Sequence, residues 1–350
     1  MPFTVKLSPG GRSFSVRDGE TVLAAALRQG VQLPYGCRTG SCGTCRARLV
    51  SGKIGYPDGP PLALTALEMN HGEALLCRAV PDMDLVVEAQ EIGGMSALRV
   101  RTFPCRIARM TPLAHDVMAV YLKLPAVSRL GFLPGQYVDV LIEDNHRRSF
   151  SLANPPHDDK LLELHVRHVP GGHFTTEVFH KLHEGALLRL QGPLGTFFLR
   201  EQSTRPILMI AGGTGFAPIK SMLRHIREHR SEPRRIVFYW GARARRDLYA
   251  DPWLREQAAS QPDFSYIPVL SEPAPEDAWT GRSGFVHEAV LADHPDLSGF
   301  DIYLSGPPPM VEAARQRFPA QGAAFRHLFS DAFEFAPEVR AALERGTRPA

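Results

Sequence analysis

Four of the five cysteines have a spacing that could do chemistry. Cys37, Cys42 and Cys45 fall in one glycine-rich run, Pro34-Tyr-Gly-Cys-Arg-Thr-Gly-Ser-Cys-Gly-Thr-Cys45, and Cys77 follows at a distance. C-x4-C-x2-C with one remote cysteine is the ligand spacing of a plant-type [2Fe–2S] cluster, whose irons are held by thiolate sulfur. One tight loop then supplies three thiolates and a later strand end the fourth. Gly36, Gly40 and Gly43 permit the unusual backbone angles such a loop needs and let amide N–H groups turn toward the sulfides. Zinc prefers paired C-x2-C knuckles, and disulfides are unexpected without a secretion signal. The chain is expected to move single electrons.

Three further runs carry possible chemistry. Ala211-Gly-Gly-Thr-Gly-Phe-Ala-Pro218 joins an apolar strand to a helix. Its glycines let backbone approach a ligand, and the helix N-terminus beyond offers unpaired N–H groups to phosphate, with Pro218 suited to the first turn. It is not a G-x-G-x-x-G fingerprint, and a glycine turn alone can be a mere tight connection. A place at the C-terminal end of a parallel strand strengthens the ligand reading. Tyr303-Leu-Ser-Gly-Pro-Pro-Pro-Met310 is a second strand-to-helix turn, rigid through its prolines and open to a flat ligand at Gly306. A stiff connection explains it equally well. Arg147-Arg-Ser-Phe-Ser-Leu-Ala-Asn154 combines cation, ring and hydroxyl, as a strand holding a planar diphosphate cofactor would, or as any half-exposed strand does.

The elements around these runs fall into three segments. With 350 residues, 44% hydrophobic and 22% charged, the chain can bury two or three ordinary cores. Residues 1–92 read as a small mixed sheet with one helix at Thr21–Gln29 across it, and 93–100, around Gly93-Gly94, as a linker. Residues 101–200 hold short alternating strands (Val117–Leu124, Tyr137–Ile142, Arg148–Leu152, Leu162–Val169, Leu187–Gln191) that predict an antiparallel β-barrel. Residues 205–335 alternate strand and helix, which predicts an α/β parallel sheet, and 336–350 form a charged tail. A net charge of +3 gives no argument for nucleic acid or membrane as a partner. No signal peptide shape or membrane-length apolar run is visible, so a cytoplasmic protein is expected. Cys105, in the alternating Phe103, Cys105, Ile107, reads as a small buried thiol. His71, His115 and His180 read as structural or solvated.

Taken together, these motifs resemble the reductase components of bacterial oxygenase systems, in the ferredoxin–NADP reductase superfamily, with the ferredoxin domain (an α+β, β-grasp fold) at the N-terminus. The likeness covers about residues 1–335. It implies that Arg148 meets the diphosphate of FAD, that Phe150 lies against the isoalloxazine and that Ser151 lies near flavin N5. It implies that His165-Val-Arg-His-Val-Pro-Gly-Gly-His-Phe-Thr175 holds FAD, with Arg167, Gly171, Gly172 and Thr175 near its phosphates. Gly192-Pro-Leu-Gly195 resembles the turn closing the flavin domain. Gly212, Gly213, Thr214 and Gly215 resemble the nicotinamide nucleotide turn, with Thr214 near the nicotinamide. Gly306 and Pro307 correspond to the family's Gly-Pro-Pro, but the cysteine that usually precedes it is Ser305 here. Asp331 and Phe333 resemble the terminal acid–aromatic pair beside the flavin.

The resemblance implies electron flow from NAD(P)H through FAD and the [2Fe–2S] cluster to a protein acceptor. Ser151, Thr214 and Ser305 stand nearest the hydride path. Arg243, Arg245 and Arg246, in Gly241-Ala-Arg-Ala-Arg-Arg246, stand where a 2′-phosphate would lie or form a solvated turn. NADH use is expected, with NADPH accepted. Ala153-Asn-Pro-Pro156, His165–Gly172 and Gly212–Lys220 look most like reductases of Rieske aromatic dioxygenases, including those for terephthalate. Reductases of diiron hydroxylases and of deoxysugar dehydration share the domain order. A flavin and cluster sensing module is the rival of a different class, and a self-contained oxygenase lacks its iron motifs.

Overall fold

The computed structural model describes residues 2–93, 98–142, 146–229 and 234–333, in two compact units divided at Arg99 and Val100. In the first unit β1 (Phe3–Ser8) and β2 (Ser13–Val16) form a hairpin, followed by α1 (Val22–Arg28). The chain continues through β3 (Arg46–Ser51), β4 (Ile54–Gly55), α2 (Ala66–Asn70), β5 (Glu73–Leu75), β6 (Val80–Pro81) and β7 (Leu85–Glu88). Its five-stranded sheet runs β2-β1-β7-β3-β5, with β1 and β7 parallel and the other pairs antiparallel. This is a β-grasp sheet. The Thr21 hydroxyl accepts from the Ala24 N–H and starts α1, whose Val22, Leu23, Ala25 and Ala26 are buried in the sheet's core.

The second unit begins with an antiparallel barrel. Its strands are β8 (Arg101–Ala114), β9 (Val117–Lys123), β10 (Tyr137–Leu141), β11 (Arg147–Ser151), β12 (Leu162–Arg167) and, after α3 (His173–His180), β13 (Leu187–Leu194). The order is β11-β10-β13-β8-β9-β12, and a Leu152–Leu164 bridge joins the two ends. Cys105 lies in this barrel's core, where burial pushes its thiol up to about 12. The parallel sheet follows: β14 (Ile207–Gly212), α4 (Phe216–His229), β15 (Ile236–Ala242), α5 (Asp251–Ser260), β16 (Phe264–Leu270), β17 (Arg282–Ser283), α6 (Val286–Asp293), β18 (Asp301–Gly306), α7 (Pro308–Arg317) and β19 (Leu328–Ala332). Its order is β17-β16-β15-β14-β18-β19, parallel throughout. Strands β14, β15 and β18 are almost wholly buried, as the central strands of a sheet covered on both faces must be.

The expected class therefore holds, and the departures are local. α3 falls where only a loop is expected, because its N-cap is Gly172 with no side-chain cap to mark the start. β19 is polar at Ser330 and Asp331, yet pairing with β18 buries both. α4 begins two residues before Pro218, which still falls in its first turn, where no N–H partner is needed. The end of the Gly93-Gly94 link and the 336–350 tail lie outside the described residues.

Candidate functional site

The cluster loop is shaped by backbone that only small residues allow. Gly40 has φ +85°, and a Cβ there would stand 2.7 Å from Pro61 Cβ, so the 37–45 loop closes tightly over the 61–63 segment. Cys42, Cys45 and Cys77 are buried and Cys37 is half-buried, all as free thiols. The Cys37 and Thr39 N–H groups donate to Cys42 Sγ and Cys37 Sγ at 3.4 Å each. The sulfurs fall into two pairs. The hydrogen bond from Cys42, with help from Ser41 and Thr39, pulls the Cys37 thiol down to about 4 against its burial. The same contact, with burial, pushes Cys42 well up, and Cys77 and burial do so for Cys45. Four sulfurs in two close pairs, with N–H groups aimed at them, are the donor set a two-iron cluster takes.

In the second unit, the expected flavin residues meet the end of the parallel sheet. Ser151 closes β11, and its buried hydroxyl donates to Asp331 Oδ2 on β19 at 3.3 Å. Asp331 is in register with Ser305 on β18, and Ser305 with Ala211 on β14. Ser305 is fully buried and its Oγ has no hydrogen-bond partner among the described residues. Phe333 continues past β19, its N–H donating to Gly306 O at 2.9 Å. Phe150 packs on Phe174 of α3 at 5.6 Å between centroids. Thr175 Oγ1 holds the 169–172 turn by accepting from Val169 N and donating to its carbonyl, which leaves Gly171 and Gly172 leading into α3. Backbone N–H groups at that helix start suit an anionic group. Arg148, next to Phe150 on β11, is half-buried.

The nucleotide turn is built backbone against backbone. Gly212 ends β14, and Gly213–Gly215, with Thr214 between them, form one 3₁₀ turn before α4. A Cβ on Gly215 would lie 2.1 Å from Ser305 O, and one on Gly306 (φ +143°) 2.8 Å from Gly212 O. Trp240 Nε1 donates to Gly213 O at 2.9 Å, and its ring stacks on Phe216 at 4.6 Å, so the turn is tied to the sheet beneath. Pro307 caps α7 and packs at Gly212. A cavity of about 460 Å³ opens beside this turn, lined among others by Arg167, Arg243, Arg246, Asp116, Asp247 and Glu272. Arg243 and Arg246 have no ion-pair partner among the described residues, whereas Arg245 donates to the Asp277 carbonyl and lies outside the lining. Arg167 lies against Gly213 and 3.3 Å from Asp116, with Nε and Nη2 buried and making no hydrogen bond among the described residues. It lines the cavity shared with Arg243 and Arg246.

His165, expected in the FAD segment, sits in a network with residues that no motif marks. His165 is buried, with Nε2 3.0 Å from Glu163 and Nδ1 3.0 Å from the Tyr249 hydroxyl, so both ring nitrogens are engaged by protein. Lys220 of α4 lies 2.6 Å from the same Glu163 oxygen. Burial opposes charge on Glu163, but the His165 hydrogen bond and Lys220 hold it down to about 2; burial lowers His165, which stays neutral. Arg200 stacks on Phe198 and Phe329 at 3.6 and 4.6 Å.

Comparison with known proteins decides the family. Residues 5–82 match the 2Fe-2S iron-sulfur cluster binding domain, 104–199 the oxidoreductase FAD-binding domain and 209–316 the oxidoreductase NAD-binding domain. The chain is 38% identical over 333 residues to the CDP-6-deoxy-L-threo-D-glycero-4-hexulose-3-dehydrase reductase of Yersinia pestis, covering 95% of this chain and 99% of that one. It belongs to the iron–sulfur flavoprotein reductases. Identity is 38% over 339 residues to the phenol 2-monooxygenase reductase component of a Pseudomonas species, covering 95% of each chain. It is 33% over 327 residues to the terephthalate 1,2-dioxygenase reductase component 1 of a Comamonas species, covering 93% and 95%. The crystal structure of the Amycolatopsis cytochrome P-450 reductase GcoB superposes with TM-score 0.76 at 36% identity, over 95% of this chain and 98% of that one. The reductase is thus an NAD(P)H-dependent oxidoreductase of FAD and [2Fe–2S] type; the buried Ser305 hydroxyl, without a hydrogen-bond partner among the described residues, and the Arg167 guanidinium, paired with Asp116 but with Nη2 making no hydrogen bond among them, are places such cofactors fit.

Proposed function

We propose that this reductase delivers electrons to a terminal oxygenase acting on an aromatic ring, of the Rieske dioxygenase type. The observation that carries the reading is the likeness of Ala153–Pro156, His165–Gly172 and Gly212–Lys220 to the aromatic dioxygenase reductases, alongside 33% identity to the terephthalate enzyme's component. The 38% identity to the Yersinia protein over 99% of its length favours a second reading, a deoxysugar dehydrase as acceptor. A cytoplasmic location suits four thiolates kept reduced, and no helix among the described residues is long and apolar enough to cross a membrane.

When bound, nicotinamide, flavin and cluster supply a hydride donor, a carrier that takes electrons in pairs and yields them singly, and a one-electron relay. The chain's residues bind and orient them. Cys37, Cys42, Cys45 and Cys77 would supply the thiolates that hold the cluster's irons. Arg148, Gly171, Gly172 and Thr175 hold the FAD diphosphate at the α3 N-terminus, and Phe150 and Phe333 cover the ring system. Ser151, oriented by Asp331, presents a hydroxyl to the flavin edge. Gly212–Gly215, Gly306 and Pro307 form the slot for the nicotinamide, with Thr214 and Ser305 as its polar contacts. Arg243, Arg246 and Arg167 receive the nucleotide's phosphates, which favours acceptance of NADPH beside NADH. His165 lies in the segment that holds FAD, with its ring steadied by Glu163 and Tyr249.

Two measurements test this. A protein beginning at Arg99 should bind FAD and reduce ferricyanide with NADH, yet fail to reduce cytochrome c or an oxygenase, because single-electron exit runs through the first unit. Equal support of the oxygenase by the shortened and the full chain overturns that route. Reconstitution with a terephthalate-type oxygenase and with a deoxysugar dehydrase separates the two acceptors; faster turnover with the dehydrase replaces the first reading by the second.

A further inference from the structure

Three histidines in the second unit have no part in the chemistry above. His157 lies between β11 and β12, a few residues beyond Ser151, while His225 and His229 stand one turn apart on α4. Their rings gather closely: 3.9 Å between the centroids of His157 and His229, 5.2 Å between His225 and His229, and 5.6 Å between His157 and His225. Each ring offers a nitrogen within 4.8 Å of one on each of the others.

The surroundings explain what these nitrogens are for. His157 Nε2 is hydrogen-bonded to Glu228, and His225 Nε2 lies 3.0 Å from Glu201 Oε1. In both residues Nδ1 is buried and has no hydrogen-bond partner among the described residues. A carboxylate that takes the Nε2 proton as its hydrogen bond leaves the lone pair on Nδ1, the tautomer in which imidazole ligates metal; such carboxylate–histidine pairs orient ligands in known metal sites. A buried lone pair without a donor costs stability, and two of them beside a third ring have no protein group to satisfy them. His229 is exposed, which leaves a way in for an ion.

We propose that His157, His225 and His229 bind one divalent transition-metal ion of zinc's class. Three imidazoles with a fourth position open to water are a common zinc donor set, and Zn–N distances of about 2.0–2.1 Å require nitrogens about 3.4 Å apart. The rings now lie stacked or tilted, at interplanar angles of 7° to 36°, so the side chains must rotate to turn their in-plane lone pairs toward one ion as well as close the spacing from 4.8 Å. The ion fastens the loop after β11 to the far half of α4, about 13 to 20 Å along the helix from the nucleotide turn at 1.5 Å per residue. That distance separates it from hydride chemistry. Ser221 Oγ already donates to Asn154 O at 2.7 Å between the same two elements, so the site reinforces a packed junction and does not gate one.

The test uses the full holoprotein without an affinity tag, stripped with a mild chelator and titrated with zinc chloride in a calorimeter. Wild type should take up about one equivalent with a rise in the second unit's melting temperature. His225→Gln/His229→Gln and, separately, His157→Gln should weaken uptake by at least about tenfold and abolish the rise. FAD and iron content, unchanged in all three proteins, establish that each is folded and that zinc has not entered the cysteine loop. No uptake by wild type at micromolar zinc, or the same equivalent in the double variant, overturns the proposal.

Discussion

Replacing Gly215 with alanine tests whether the two nucleotide-side turns are joined as tightly as their backbones indicate. The new Cβ would stand 2.1 Å from Ser305 O, 2.5 Å from Ser305 C and 2.9 Å from Gly306 Cα. All three atoms belong to the backbone, so no side chain can swing aside. Restoring an ordinary contact of about 3.4 Å requires the turn and the end of β18 to part by roughly 1 Å. Overpacking of this kind costs about 1–3 kcal/mol. For a unit of this size that is a fall in melting temperature of roughly 2–10 °C. A displacement of 1 Å between reacting groups lowers rate by about 100-fold. Stopped-flow reduction of the flavin by NADH should therefore slow by about two orders of magnitude while FAD and iron contents stay at one and two per chain, about as in wild type. Gly299→Ala is the control, since a Cβ there meets nothing within 4 Å, and it should change stability by less than about 0.5 kcal/mol. A Gly215→Ala protein with wild-type flavin reduction and melting temperature would refute the packing argument.

Serine in place of Cys37, Cys42, Cys45 or Cys77 should lose the iron and the cluster's absorbance, while Cys105→Ser should keep both and lose about 1–3 kcal/mol for a buried hydroxyl, as metal analysis and thermal melts will show. Arg243→Ala/Arg246→Ala should raise KM for NADPH by at least about tenfold and leave KM for NADH within about twofold, since loss of even one charged contact is worth about 1.5–3 kcal/mol; equal effects on both cofactors would remove the arginines from 2′-phosphate recognition. Acid should loosen the second unit through two groups of the same sign. Glu163 has a lowered carboxyl, to about 2, so its contribution is complete above its ordinary 4.5 and is lost as pH falls toward 2. His165 is held neutral below its ordinary 6.5, so the unfolded chain gains a proton there first and stability falls with pH from that value. Melting profiles of wild type and Glu163→Gln should run parallel from about pH 7 to 5 and converge between about pH 4.5 and 2, and profiles still parallel there would show that the network does not titrate.

Much of the fold is legible because the reductase repeats simple physical patterns. Period-two strands such as Val117–Lys123 and the apolar run Ile207–Gly212 appear in the chain within a residue or two of their observed ends. The cluster loop is legible for a different reason: thiolates that share one inorganic core must be spaced by what a single loop can wrap. α3 is missed because glycine at its start leaves no capping side chain, and β19 because its buried polar residues contradict the alternation of a strand. In both cases tertiary pairing supplies what local sequence lacks.

The site divides along the same line. Gly212–Gly215 and Ser305–Pro307 are visible as punctuation in the chain, since close backbone approach demands glycine and proline wherever it occurs. Their mutual contact is not visible, because 90 residues of α/β sheet separate Gly215 from Ser305 and only the parallel register of β14 with β18 brings Ala211 beside Ser305. Polar side chains fare worse. Ser151 meets Asp331 across 180 positions, and Arg167 reaches Gly213 from the barrel, so which cofactor each serves depends on how β11, β12 and β19 converge. The histidines at 157, 225 and 229 are the limiting case: the i, i+4 pair on α4 is ordinary in a helix, and it becomes a candidate donor set only when the loop after β11 delivers a third ring beside it. Chemistry carried by backbone is written locally, and chemistry shared between side chains of distant strands is written in the topology.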